Sequence, residues 1–249
     1  MSDPAPSDSA ITFGRSGFLR GLRRAQALGV GAFVYGIAFG LLAREVNLSS
    51  LESMLMSALV YSSSAQLAAV SQLGQEARAA GIGHGAIVVA VLLMNARYLL
   101  YGATLRPWMG GLKAWQAYPS LFVLGDGNWI LAMKAHEEGE RDSGFVLGSG
   151  LAMFMPWVGG TLAGSLAGAL LADPARFGLD FLLVSFSAAM GVAMFRSRGD
   201  AWTVGVALAV ALLVDRVAAG GWTIAAAGLA GGLAAFLRAS PGAPRALRR

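Results

Sequence analysis

Two charged residues, Arg97 and Asp126, stand inside apolar stretches of this 249-residue chain and could do chemistry there. Arg97 is the one charge in about 82–105, and Asp126 the one charge in about 117–133. An arginine near the centre of a hydrocarbon-crossing helix costs about 2.5–3.5 kcal/mol on insertion scales, so it must face protein or water and take a partner. Arg97 lies nine residues before Arg106, and Asp126 nine residues after Ala117. On neighbouring antiparallel helices rising about 1.5 Å per residue, these positions reach the same depth. An ion pair is geometrically possible. As structure, such a pair ties two helices together. As a site, it offers a cation to a carboxylate and an anion to an ammonium or a proton.

The uncharged polar residues nearby leave similar alternatives. Ser62, Ser63 and Ser64 are consecutive, and successive helical residues turn by about 100°, so they cannot all face one neighbour. Either some bond their own backbone and bend the helix, or the stretch is partly unwound and presents backbone groups to a ligand. Gln66 offers both a donor and an acceptor, for an interhelical bond or for a substrate. Asn95, two residues before Arg97, points elsewhere on a regular helix and is expected to bond a neighbouring helix. Asp180 reads as an acid at a helix N-terminus, where the macrodipole favours it. Asp215 and Arg216 mark a turn.

Other chemistries find no residues. The chain has no cysteine, hence no thiolate ligand and no disulfide. Its two histidines, His84 and His136, are too far apart to suggest a metal cluster. No GxxxxGK loop or HExxH motif is present, and neither histidine has a convincing serine and acid beside it. The expectation is a protein that is not an enzyme, with no cofactor and no metal. The net charge of +5 is spread over the chain ends and between apolar blocks, which argues against a nucleic-acid surface.

The elements that must position these residues follow from composition. Apolar residues make up 56% and charged residues 13%, with a mean hydropathy of +0.60. Soluble domains carry about 25% charge, so the bilayer is the expected solvent. About 20 apolar residues cross the hydrocarbon core as a helix. Charge-poor stretches at 25–43, 53–75, 82–105, 117–133, 143–172, 177–195, 201–214 and 217–237 give eight candidate spans; the seventh is short, which leaves seven crossings open. Unbroken apolar runs argue against a barrel. The fold class expected is an all-α polytopic transmembrane bundle of about eight spans. Thirteen Lys and Arg lie on the side of the two termini and five on the other, so both termini are expected in the cytoplasm.

Residues 1–24 read as a cytoplasmic N-terminal tail, 25–237 as the transmembrane domain, and 238–249 as a basic C-terminal tail. The first 12 residues read as mobile. The charged loop 134–142 divides the helices into two groups of four. Gly36 and Gly40, then Gly160, Gly164 and Gly168, then Gly228 and Gly232 repeat at four-residue spacing, which forms flat stripes for close helix packing. Such stripes fit internal packing or the docking of a second subunit. Trp108, Trp115, Trp157, Trp202 and Trp222 fall near span ends, as an interfacial aromatic belt would.

Several segments resemble the AzlC family, the large subunit of two-component branched-chain amino-acid exporters. They are YGIAFGLLA (35–43), NLSSLESMLMSALVYSSSAQ (47–66), NARYLLYGATL (95–105), the acid of GDGN (125–128), PWVGGTLAG (156–164) and GLDF (178–181). The chain departs from the family pattern in GDGN, where an acidic pair preceded by Thr is expected, and in VYSSSAQ, where Gly usually precedes SAQ. The resemblance implies export of Val, Leu, Ile or a similar hydrophobic amino acid such as Met. It also implies a small AzlD-like membrane partner of about four helices, a bacterial inner membrane, and transport driven by an ion gradient. In that reading Arg97 holds the carboxylate and Asp126 balances it or relays a proton. Ser64, Gln66 and Asn95 supply polar contacts, and Phe39 and Phe122 form an apolar wall. The alternative is a non-transporting membrane scaffold whose buried charges only stabilise packing.

Overall fold

The structure, a computed structural model, describes residues 11–73, 84–170, 198–217 and 221–238. Among them the regular elements are α-helices, and the extended pairing is an isolated bridge between Thr12 and Asp142. The expected span at 177–195, with Asp180, lies outside the described residues, as do most of the basic tail and the first ten residues. The helices are α1 (Arg15–Arg24), α2 (Gln26–Glu45), α3 (Ser50–Val60), α4 (Ser63–Leu73), α5 (His84–Asn95), α6 (Arg97–Met109), α7 (Ala114–Phe122), α8 (Asp126–Glu137), α9 (Gly144–Leu170), α10 (Arg198–Asp215) and α11 (Gly221–Arg238).

The chain forms two compact units, Met1–Gln66 with Ala96–Leu179, and Leu67–Asn95 with Asp180–Arg249. In the first, α9 is the axis, and α1, α2, α3, α7 and α8 pack on it. Small residues make this possible. A side chain on Gly36 or Gly40 would run into the α9 backbone at Trp157–Thr161 and Thr161–Ser165. One on Gly160 or Gly164 would strike the α2 backbone at Phe33 and Ile37. Gly21 and Gly148 do the same for α1 against α9. The stripes of α2 and α9 thus interlock inside the chain. Without a hydrophobic drive in lipid, such backbone proximity supplies the packing energy. A second cluster, with Leu105, Trp108, Leu124, Ala132, Phe145 and Val146, joins α6, α8 and the start of α9.

In the second unit α10 packs on α11 and α11 on α5. A Cβ at Gly228 or Gly232 would meet open space. The third expected stripe is therefore not a packing face among the described residues.

Among the described residues two helices, Gln26–Glu45 and Gly144–Leu170, are long and apolar enough to cross a membrane. The expected spans at 53–75, 82–105 and 117–133 are each divided, at Tyr61–Ser62, at Ala96 and at 123–125. Hydropathy averages across such breaks because the residues that make them are themselves small or apolar. Residues 15–24, expected to belong to a tail, form α1, whose Gly17 and Gly21 are buried. Trp108 and Trp157 are buried in the protein, unlike Trp115 and Trp202, which are exposed. Trp108 stacks on His136 and Phe145 and is not available to a lipid-facing belt.

Candidate functional site

The first unit gathers its polar side chains where helices begin and end. α3 stops at Tyr61, which adopts the left-handed conformation (φ 41°, ψ 47°). A bulky residue there is unfavourable and persists only where its surroundings hold it. Here the Tyr61 ring packs edge-on against Phe154 of α9, with centroids 5.0 Å apart, and its carbonyl accepts from the Tyr98 hydroxyl at 3.4 Å. α4 then starts afresh, with the Gln66 N–H donating to the Ser62 carbonyl at 2.9 Å. α8 starts at Asp126 after the extended Gly125, whose N–H donates to Asn128 Oδ1 at 2.6 Å.

Arg97, Ser64 and Asp126 each lie in the first turn of a helix, and they meet. Arg97 Nη1 is 3.0 Å from Asp126 Oδ2, and Arg97 Nη2 donates to Ser64 Oγ at 3.0 Å. The Tyr101 hydroxyl donates to Asp126 Oδ1 at 2.8 Å. Tyr101 is held by stacking on Trp129, whose indole N–H donates to Thr104 Oγ1 at 2.9 Å. The Tyr98 ring lies 5.4 Å from the guanidinium carbon. Asp126 also profits from the positive end of the α8 dipole. The side chains of Arg97 and Asp126 are 29% and 42% exposed. Arg97 Nε, by contrast, is buried and has no hydrogen-bond partner among the described residues. A buried donor left unmade costs about 1–3 kcal/mol, and an incoming acceptor would relieve it.

The other residues singled out by sequence fall in different places. Gln66 is fully buried, and its Nε2 donates to Ser57 Oγ at 3.0 Å. Asn95 closes α5 in the second unit, and its Oδ1 is buried without a partner among the described residues. Phe39 is 1% exposed inside the α2–α9 contact, stacked on Trp157. Phe122 is exposed and lines an apolar groove of about 950 Å³ with Tyr118, Leu147, Leu151 and Phe154. Tyr61, Tyr98 and Tyr101 were not foreseen. The Tyr98–Tyr101 spacing just after Arg97 was the available signal, since it puts two hydroxyls within one turn of the charge.

Among the described residues no group of His, Cys, Asp and Glu could hold a metal. The site's equipment is a guanidinium with spare donors, a carboxylate, hydroxyls and a nearby apolar groove. That set can bind a small zwitterion and move protons.

Known proteins bear on this arrangement. Residues 27–171 match the model of a family described as AzlC protein. An uncharacterized membrane protein of Archaeoglobus fulgidus is 29% identical over 134 residues, 53% of this chain and 54% of the relative. That match spans about half of the relative's length. An uncharacterized membrane protein of Helicobacter pylori strain J99 is 23% identical over 188 residues, 74% of this chain and 79% of the relative. The inner membrane protein YgaZ of Escherichia coli is 25% identical over 214 residues, 75% of this chain and 79% of the relative. No solved structure matches the chain.

Proposed function

The chain belongs to the AzlC family, and on that premise we propose that it is a secondary transporter exporting a branched-chain or similar hydrophobic amino acid across the bacterial inner membrane. The observation that carries this reading is the meeting of Arg97, Ser64 and Asp126 at three helix starts, charged and partly exposed. Interrupted helices that turn polar groups toward one place are the usual way a membrane transporter builds a binding site.

In this reading Arg97 takes the cargo carboxylate with its spare donors, since a guanidinium carries five N–H groups and matches a carboxylate bidentately. Asp126 balances the guanidinium in the empty state and takes the cargo ammonium or a proton when the carboxylate arrives. Tyr101 hands Asp126 a hydroxyl and so holds its orientation. The aliphatic side chain goes to the groove lined by Phe122 and Phe154; Phe39, stacked on Trp157 inside the α2–α9 contact, does not line that groove. A small AzlD-like membrane subunit completes the exporter.

The test is intracellular Val, Leu, Ile and Met after dipeptide feeding, in cells with and without this chain and its small partner. The chain lowers the retained pool of at least one of them. Arg97→Gln loses a charge-assisted pair worth about 2–5 kcal/mol, so export falls at least thirtyfold while the protein still inserts. Unchanged export in that variant overturns the role. If Arg97→Ala fails to fold and Asp126→Ala restores folding without transport in either background, the pair is a scaffold's ion pair.

A further inference from the structure

Gln66 ends a relay of hydrogen bonds that fixes which end of its amide is free. Thr161 Oγ1 donates to the Trp157 carbonyl at 3.0 Å, an acceptor with no proton of its own. The Ser57–Thr161 contact of 2.8 Å must then be donated by Ser57, because the Thr161 proton is used. Ser57 Oγ, 3.0 Å from the Gln66 amide, can therefore only accept from it. One hydroxyl carries one proton. The amide nitrogen thus faces Ser57, and the carbonyl Oε1 is the free end. It is buried and without a partner among the described residues.

A second buried acceptor stands one turn away. Ser62, 2% exposed, occupies the position before α4 where a serine hydroxyl normally caps the first backbone N–H groups. Its Oγ makes no such bond. The Tyr98 hydroxyl beside it donates to the Tyr61 carbonyl, so its oxygen can only take the Ser62 proton, and the Ser62 lone pairs are left open. The end of α3 adds a third source of acceptors, since the last carbonyls of a helix lack intrahelical donors. The left-handed Tyr61 returns no N–H to α3. These oxygens belong to neutral groups, and they mark a place for a donor or a hard cation.

We propose that Gln66 Oε1 and Ser62 Oγ, with the terminal carbonyls of α3, form a subsite for a small monovalent cation, either Na+ or the ammonium head of the cargo. Neutral oxygens at a helix break are how secondary transporters hold a coupling cation. Ser64, which bonds Arg97, lies two residues from both Ser62 and Gln66, about 200° around a helix. The acceptors and the guanidinium thus occupy opposite faces of α4, a separation that favours Na+ over the cargo's own ammonium. In its ammonium form the subsite rests on the transport reading above; as a Na+ site it stands without it.

The full chain in detergent is melted by tryptophan fluorescence while NaCl is replaced by choline chloride at constant ionic strength. Saturating Na+ raises the midpoint by about 2–4 °C. Gln66→Leu abolishes the shift and Ser62→Ala at least halves it, whereas Arg97→Gln keeps it. Should Gln66→Leu not fold, Gln66→Glu, which retains an oxygen there, must keep the shift while Ser62→Ala still weakens it. In choline chloride, a rise with isoamylamine that disappears in Ser62→Ala assigns the subsite to the ammonium. Identical melting in NaCl, choline chloride and isoamylamine leaves only a water-satisfied pair of oxygens and overturns the proposal, as does a full shift in Ser62→Ala and in every folded Gln66 variant. Loss of export in Arg97→Gln with an intact Na+ shift separates this subsite from the cargo site.

Discussion

Asp142 carries more of the first unit's order than its place in a charged loop suggests. Its carboxylate accepts from the Gly14 and Gly17 N–H groups at 2.8 Å each, from the Ser16 hydroxyl at 3.0 Å and from the Gly144 N–H at 3.0 Å. One side chain thereby caps the starts of both α1 and α9, where unpaired N–H groups and the dipole welcome an anion. Burial pushes the carboxyl pKa up, but the Gly14, Gly17 and Gly144 N–H groups and Ser16 outweigh it and hold it below its ordinary 3.8. Because the folded value lies below the unfolded one, the stabilisation is complete above about pH 4 and fades as pH falls through the folded value. Asp142→Ala costs about 2–4 kcal/mol, and Asp142→Asn costs less, while both remove this group's share of acid sensitivity. Detergent melting curves from pH 7 downward check both effects. The neighbouring pairs Arg20–Glu140 and Arg24–Glu138 are exposed at their arginines and add little.

At the scale of elements, the contact of α2 with α9 tests how closely two helices must approach. Gly40→Ala drives a methyl into the Thr161 carbonyl and the Ser165 N–H, both backbone atoms that cannot yield without separating the helices. The expected cost exceeds about 3 kcal/mol, read as a lost or sharply lowered melting transition. Gly31→Ala, on the same helix but facing open space, changes stability by no more than about 1 kcal/mol, and in the stabilising direction. Equal effects at Gly31 and Gly40 would refute the interlocked stripe. The stripe itself was visible as four-residue spacing, and so were the positions of α2 and α9. The breaks that turn 53–75 and 117–133 into pairs of shorter helices were not. Tyr61 and Gly125 interrupt a helix by backbone angle and tertiary support, and neither leaves a mark on apolar content.

For the molecule as a whole, the inside location of both termini is the expectation with the most direct check. The first unit joins Thr12 to Asp142 by backbone bonds, Thr12 N–H to the Arg141 carbonyl at 3.1 Å and Ser143 N–H to the Thr12 carbonyl at 2.8 Å. The N-terminal segment and the loop after α8 therefore lie together, and both carry basic residues. Since the chain has no cysteine, single cysteines report without background. Arg23→Cys and Glu137→Cys, both at exposed positions, react with an impermeant maleimide only in permeabilised cells, whereas Lys113→Cys reacts in intact cells. Labelling of Arg23→Cys from outside would reverse the orientation.

Composition alone determined that this chain is helical and lives with a bilayer, because burying so few charges and so many apolar groups leaves helices as the economical answer. The Arg97–Asp126 pair was a possibility the sequence offered, but by a helical rise counted through 123–125, where the chain is not helical; the two charges meet as the first residues of α6 and α8. Tertiary structure decided the rest. It set Arg97 between Ser64 and Asp126, left Gln66 with a free carbonyl, and sent Phe39 into a helix contact and Phe122 to a groove. Those outcomes depend on which face of one helix meets another and on where a backbone stops turning. Both are settled by contacts between residues dozens of positions apart, which no local pattern along the chain encodes.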